Sequence, residues 1–405
     1  MTAQSWRPAL PILIGAAVML TLGMGVRQSF GLIMQPLTRD IAITIADFTL
    51  AIAVQNLAWG FLQPVAGALA VRCGFRAVML AGAALYLIGL AVLAAASGLL
   101  AVLIGAGALI GTGLACTASG IALAVASRAV AERLRSLALG AVTAAGSLGA
   151  LLAAPIGQSL TDDFGWRAGV ISFLVLALAM LPAAWIAGRV DAVPLARAAD
   201  ADVSGVTALR MALTDLPFVV MTVAYFVCGM QLIFITTHLP FYLAICGMDP
   251  MLSAQALGVI ALFNVLGSLF FGWAGGRWSK GALLGGIYLA RSAVLGWYFF
   301  LPPTPLGTLA FAAAMGFLWL GVGPLVAGMV AEMFGLRWQA MIQGLAFMSH
   351  QIGSFVGAFG GGVLFDWLGS YDLAWRLAVS MGLTAGICQV LFALLRPPRG
   401  AAAPA

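Results

Sequence analysis

Apolar runs long enough to cross a bilayer recur twelve times along this chain, with mostly short polar breaks between them. They fall near residues 9–34, 48–70, 77–96, 99–126, 137–160, 167–188, 216–245, 253–275, 282–301, 306–331, 339–364 and 375–395. One span consumes about 20 apolar residues. Inside hydrocarbon every backbone N–H and C=O must be bonded within the protein, which leaves helices or a closed barrel. The alternating strands of about ten residues that a barrel requires are absent. The expected fold is therefore an all-α membrane protein with twelve transmembrane helices. Composition agrees: 63% of residues are hydrophobic and 8% charged, against about 25% charged in a soluble domain. A soluble enzyme of this size is excluded.

The longest polar stretch, Arg189 to Asp215, divides the chain into an N-terminal half (1–188), a linker (189–215) and a C-terminal half (216–405). If the N-terminus is cytoplasmic, fourteen basic residues fall in cytoplasmic segments and three (Arg39, Arg167, Arg376) on the other side. The excess of Lys and Arg marks the inner side, so both termini are expected in the cytoplasm. The mostly short loops suggest a bacterial inner membrane. The first apolar run is too long for a secretory leader. The net charge of +6 comes from dispersed arginines and a single lysine, Lys280, and so does not indicate nucleic-acid binding. Five cysteines without a CxxC spacing predict neither a disulfide framework nor a metal site.

The two halves repeat. Gly140, Gly149, Gly157, Asp162 and Gly165 match Gly344, Gly353, Gly361, Asp366 and Gly369, each 204 positions later. Gly67 and Arg72 return as Gly272 and Arg277, 205 positions on, and Trp166–Arg167 returns as Trp375–Arg376. Gly25 and Pro36 match Gly229 and Pro240, again 204 apart. A parallel duplication implies two six-helix bundles related by an axis along the membrane normal, with a substrate site between them near the midplane.

After the second run stands Gly67-Ala-Leu-Ala-Val-Arg72-Cys-Gly74-Phe-Arg76, and after the eighth Gly272-Trp-Ala-Gly-Gly-Arg277. With the pattern Gly146-x-x-Gly149 followed by Pro155 and Gly157 on the fifth, these segments resemble the major facilitator superfamily over essentially the whole chain. The resemblance implies a secondary transporter, in which these loops latch the cytoplasmic helix ends through Gly67, Arg72, Arg76, Gly272 and Arg277. The acidic residue of the family's loop motif is replaced here by Val71 and Gly276. The segment Gly25-Val-Arg27-Gln28-Ser29-Phe30-Gly31 resembles the first helix of the monocarboxylate-porter and oxalate/formate-exchanger branch. Two features of that branch's animal members depart: Trp6-Arg7-Pro8 replaces the acidic opening, and Asn264 and Ser268 stand where an Asp–Arg pair is expected.

All thirteen acidic residues lie in loops or at span ends, whereas Arg27 and Arg291 lie within spans. A guanidinium stays protonated, and a charge at mid-bilayer costs at least about 2.5–3.5 kcal/mol, so such residues face the protein interior or a wet cavity. Each arginine must be neutralised by main-chain dipoles, by water, or by an anionic cargo. For Arg27, snorkelling to the interface and lining the cavity are both open. For Arg291 on the ninth span, bonding to helix carbonyls and contacting substrate are both open. Gln231, the repeat-mate of Arg27, together with Gln28, Gln55, Asn56 and Asn264, completes the expected substrate-binding set. Other polar residues within spans, Gln351 among them, read as helix–helix glue. The two histidines, His238 and His350, are candidates for carrying a coupled proton.

The expected function is alternating-access transport of a small organic anion, a mono- or dicarboxylate, with proton coupling through a histidine or through the acid itself. The alternative is efflux of hydrophobic or cationic drugs, which a carboxylate in the cavity would favour. A membrane enzyme would need a nucleophile–base pair or metal ligands; a receptor on the same fold is a further reading. No Walker motif, dinucleotide fingerprint or metal-ligand cluster occurs, so no cofactor or metal is expected. The expected partners are the anionic substrate, protons and the lipid bilayer, with no nucleic acid, and the chain is expected to be a monomer.

Overall fold

A computed structural model describes residues 6–194 and 203–395. Of the linker, Arg197, Asp200 and Asp202 lie outside the described residues, as do Arg396 and Arg399. Twelve helical columns succeed one another. They are α1 (Trp6–Gln28, resumed as Phe30–Asp40), α2 (Ile45–Cys73), α3 (Phe75–Ala94), α4 (Leu99–Ala129), α5 (Glu132–Phe164) and α6 (Trp166–Ala192). The second half gives α7 (Leu216–Ile245), α8 (Pro250–Ala274), α9 (Lys280–Phe299), α10 (Pro305–Phe334), α11 (Gln339–Phe355, continued by Val356–Gly360 and Gly361–Leu368) and α12 (Asp372–Leu395). A short helix, Gly205–Thr214, precedes α7.

Among the described residues eleven columns are long and apolar enough to cross a membrane. The exception is α11, which is as long as its neighbours but carries Gln339, Gln343, Ser349, His350, Gln351 and Ser354. Its polarity is sheltered by the other helices, and four of these six side chains are buried, while Ser349 and His350 are half-buried.

The helix ends follow from local chemistry. Thr44 and Asp47 form a reciprocal capping box at the start of α2. Asp215, Asp249 and Thr304 cap α7, α8 and α10, each just before a proline in the first turn. Gly165 and its repeat-mate Gly369 end α5 and α11 at φ +85° and +66°, a backbone region that glycine enters without a Cβ penalty. The sequence predicts α1 to end near Met34, but it runs to Asp40 with one interruption at Ser29, whose hydroxyl donates to the Gly25 carbonyl. Arg27 thus lies thirteen residues from the helix end, about 20 Å at 1.5 Å per residue, too deep to snorkel to that interface.

Within each bundle the long helices cross closely. α1 packs on α5 and α6, α2 and α3 on α4, α7 on α11 and α12, α8 on α10, and α9 on α12. Between bundles α2 packs on α11, and α5 on α8 and α10. Ile14, Ile88, Ile171, Leu262 and Ile387 are about half exposed on the outside, as side chains facing acyl chains should be.

The two ends of the molecule differ. At the end carrying Arg72, Arg128, Arg135, Arg277 and Lys280, the basic end, the bundles meet backbone to backbone: a Cβ on Gly67 would stand 2.3 Å from the Met341 nitrogen, and one on Gly140 2.6 Å from the Gly272 Cα. Gln339 donates across the same seam to the Ser127 hydroxyl. Towards the opposite end, the second half of α11 and the Phe30–Asp40 stretch of α1 pack within their own bundles. Among the described residues, the closest backbone approaches between the bundles lie at the basic end, which they seal.

Candidate substrate site between the bundles

Further from the basic end than the seal, four helices bring together a polar cluster. Arg27 of α1 donates through Nη2 to Asn56 Oδ1 of α2 at 2.5 Å. Gln351 of α11 donates to the Asn56 carbonyl at 3.2 Å and to Asn56 Oδ1 at 3.4 Å. His350 places Nδ1 3.3 Å from Gln351 Oε1 and 3.5 Å from Ser354 Oγ. Its ring stacks on Phe347 at 10° and lies 4.7 Å from the Tyr225 ring of α7. Trp59 sits beneath the guanidinium, 5.2 Å from ring centroid to Cζ, a cation–π arrangement. Arg27, Asn56, His350 and Tyr225 keep part of their surface accessible, and Gln28 is exposed.

The cluster is rich in donors and has no acid. Among the described residues the ion pairs are Arg167–Asp40 and Lys280–Glu332, both at helix ends. Arg27 Nε and Trp59 Nε1 find no hydrogen-bond partner among the described residues. Buried donors left unbonded cost on the order of 1–3 kcal/mol each.

The other sequence-predicted residues serve the main chain. Arg291 is fully enclosed: Nε and Nη2 donate to the Leu318 carbonyl at 3.1 and 2.6 Å, Nη2 to Trp319 at 2.5 Å, and Nη1 to Cys228 Sγ at 3.0 Å. Those carbonyls end the first half of α10, which breaks at Leu320–Gly321. Asn264 Oδ1 accepts from the Leu320 N–H at the same break, and its Nδ2 donates to Ser147 across the bundle interface at 3.2 Å. Gln55 donates to Ala106 within the π-helical stretch Leu103–Leu109 of α4. His238 places one ring nitrogen on Ala358, in the π-helical stretch of α11, and the other on the Tyr371 hydroxyl. Gln231 donates to the Ala378 carbonyl of α12. Irregular helices leave backbone groups that lipid cannot satisfy; Arg291, Gln55 and His238 meet freed carbonyls there, and Asn264 accepts from a freed N–H.

Of the loop residues, Gly67 and Gly272 sit in the seal, whereas Arg72 and Arg277 are exposed, the latter over Trp273. Arg76 lies over Trp185. With Val71 in the acidic position, the start of α3 is capped from elsewhere: Asp191, at the end of α6, accepts from the Phe75 and Arg76 N–H groups at 2.8 and 3.0 Å.

Five members of the cluster, Trp59, Tyr225, Phe347, Gln351 and Ser354, lie outside the site set expected from the sequence. A signal existed for Gln351, which lies 204 positions after Ser147. These repeat-mates each take part in a bond between bundles away from the basic end, Gln351 to Asn56 and Ser147 to Asn264.

Comparison with known proteins agrees with this architecture. The profile of the major facilitator superfamily matches residues 13–358. Monocarboxylate transporter 13 of Bos taurus is 27% identical over 373 residues, covering 91% of this chain and 85% of that one. Monocarboxylate transporter 11 of Homo sapiens is 27% identical over 413 residues, covering 96% and 85%. The E. coli fucose:proton symporter FucP superposes with a TM-score of 0.73 at 16% identity over 95% of this chain and 99% of that one. The proton:xylose symporter XylE gives 0.71 at 12% identity over 97% and 96%. These two solved structures share the fold. By its sequence match, its paired six-helix bundles and its internal repeat, the chain belongs to the major facilitator superfamily.

Proposed function

We propose that the protein is a secondary transporter of small organic anions, monocarboxylates foremost, working by alternating access across the cytoplasmic membrane. The observation that carries the reading is the Arg27 guanidinium, set between the bundles with no acid beside it and with unbonded donors around it. A carboxylate entering the gap would be the group that neutralises it. The likeness to two monocarboxylate transporters supports the same cargo class. With the basic end in the cytoplasm, as the distribution of Lys and Arg favours, the seal closes the cytoplasmic side, as in an outward-facing arrangement. His350, part-exposed in the same cluster, is the residue we assign to a coupled proton.

Counterflow in proteoliposomes tests the reading. Internal lactate, pyruvate or acetate is expected to accelerate uptake of labelled lactate severalfold, whereas internal tetraphenylphosphonium is expected to have no effect. Acceleration by the cation and not by the acids would overturn the anion assignment in favour of cationic drug efflux.

A further inference from the structure

We propose that the side-chain amide of Asn56 is an internal stand-in for the cargo's carboxylate, holding the site's donors while the carrier is unloaded and releasing them when an anion arrives. The inference rests on the reading of Arg27 as the anion site and deepens it. Asn56 Oδ1 accepts from Arg27 at 2.5 Å and lies 3.4 Å from Gln351 Nε2. One neutral oxygen thus sits where a donor from each bundle converges, the position that a bridging carboxylate oxygen would take. Gln55, Gln231 and Asn264 differ, because each has one amide atom bonded to the main chain and none bonds a charged group. Asn56 commits its oxygen to a permanent charge.

The consequence concerns the unloaded step of the cycle. A loaded carrier passes through its closed form with Arg27 neutralised by cargo. An unloaded carrier must carry the guanidinium through the same closed, dry form, where an unpaired charge is costly. The Asn56 carbonyl dipole reduces that cost, so the unloaded return depends on Asn56 and the loaded passage does not. Binding of cargo and the bond to Asn56 also compete for the same donor.

Purified full-length protein in proteoliposomes, with labelled lactate as probe, separates these steps. Asn56→Ala is expected to impair net efflux far more than lactate–lactate exchange, with half-saturation for exchange unchanged or lower. Its net efflux into lactate-free buffer is expected to fall about tenfold or more, the scale of one charge-assisted hydrogen bond. Asn56→Asp places a full carboxylate on Arg27, and its half-saturation is expected to rise about tenfold or more, since cargo must displace an ion pair. Parallel loss of exchange and net efflux in Asn56→Ala, a raised half-saturation in that variant, or intact net efflux would each overturn the inference. Lactate exchange that survives Arg27→Ala instead defeats the underlying anion site, whatever Asn56→Ala does. No exchange of lactate, pyruvate or acetate by the wild type defeats both.

Discussion

Arg27→Ala is expected to abolish lactate exchange in proteoliposomes, by about a hundredfold or more in exchange efficiency, while leaving a folded protein. The magnitude follows from what the side chain does. An anion in the gap without a counter-charge faces a cost of at least about 2.5–3.5 kcal/mol, and about 2.7 kcal/mol is a hundredfold in affinity. The fold should tolerate the change because no helix carbonyl depends on Arg27. Its one recorded hydrogen bond goes to the Asn56 side chain, and Asn56 keeps its contacts with Gln351. Arg27→Lys should restore part of the activity, since the charge returns but the planar fork of donors does not. Exchange in the alanine variant at more than a tenth of the wild-type rate would contradict the assignment.

The second large effect is expected at the seal. A Cβ on Gly67 would stand 2.3 Å from the Met341 nitrogen and 2.5 Å from the Ala340 carbonyl carbon, and one on Gly140 2.6 Å from the Gly272 Cα and 2.7 Å from the Ser268 oxygen. Those atoms are backbone and cannot rotate away, so a leucine at either position holds the bundles apart at the basic end. Overpacking costs about 1–3 kcal/mol when it must be absorbed. Here the alternative state, open at the basic end, relieves it, so the strain becomes a population shift. Gly67→Leu and Gly140→Leu are expected to lose more than about nine-tenths of exchange, a tenfold change for each 1.4 kcal/mol. A cysteine introduced at exposed Gln28 should then react more slowly with an impermeant maleimide added from the side opposite the seal. Unchanged labelling together with normal exchange would refute the gating role. Gly25 is a contrast: its Cβ would strike Gly149 inside one bundle, so enlarging it should reduce folded yield instead.

The spans, the two halves and the seal were legible in the sequence for one physical reason. Hydrocarbon imposes length and apolarity on every crossing, and duplication writes the close contacts twice. Gly67 with Gly272, and Gly140 with Gly344, mark helix crossings at the basic end that the structure realises as α2 on α11 and α5 on α8. The roles of the polar residues were less legible. A glutamine in an apolar run looks the same whether it faces a cavity or a carbonyl freed by an irregular helix. Gln55 answers the π-helical stretch of α4, Arg291 and Asn264 the break in α10, and His238 the π-helical stretch of α11. These irregularities lie up to 120 residues away along the chain and leave no local signature. Arg27 and Asn56 are distinguished by meeting each other and a residue of the opposite bundle, which only the packing of α1, α2 and α11 reveals.

The most direct measurement of the central claim compares an anion with its neutral isostere. Thermal unfolding of the purified wild type is followed in rising lactate or rising lactamide, and the same pair is applied to Arg27→Ala. A ligand at free concentration L that binds only the folded protein stabilises it by RT ln(1 + L/Kd), so its midpoint rises with the logarithm of ligand concentration above Kd. Lactate should raise the wild-type midpoint in this concentration-dependent way, lactamide should not, and neither should move the midpoint of the alanine variant. Equal stabilisation by lactamide, or a lactate shift that persists without the guanidinium, would contradict an anion site built on Arg27.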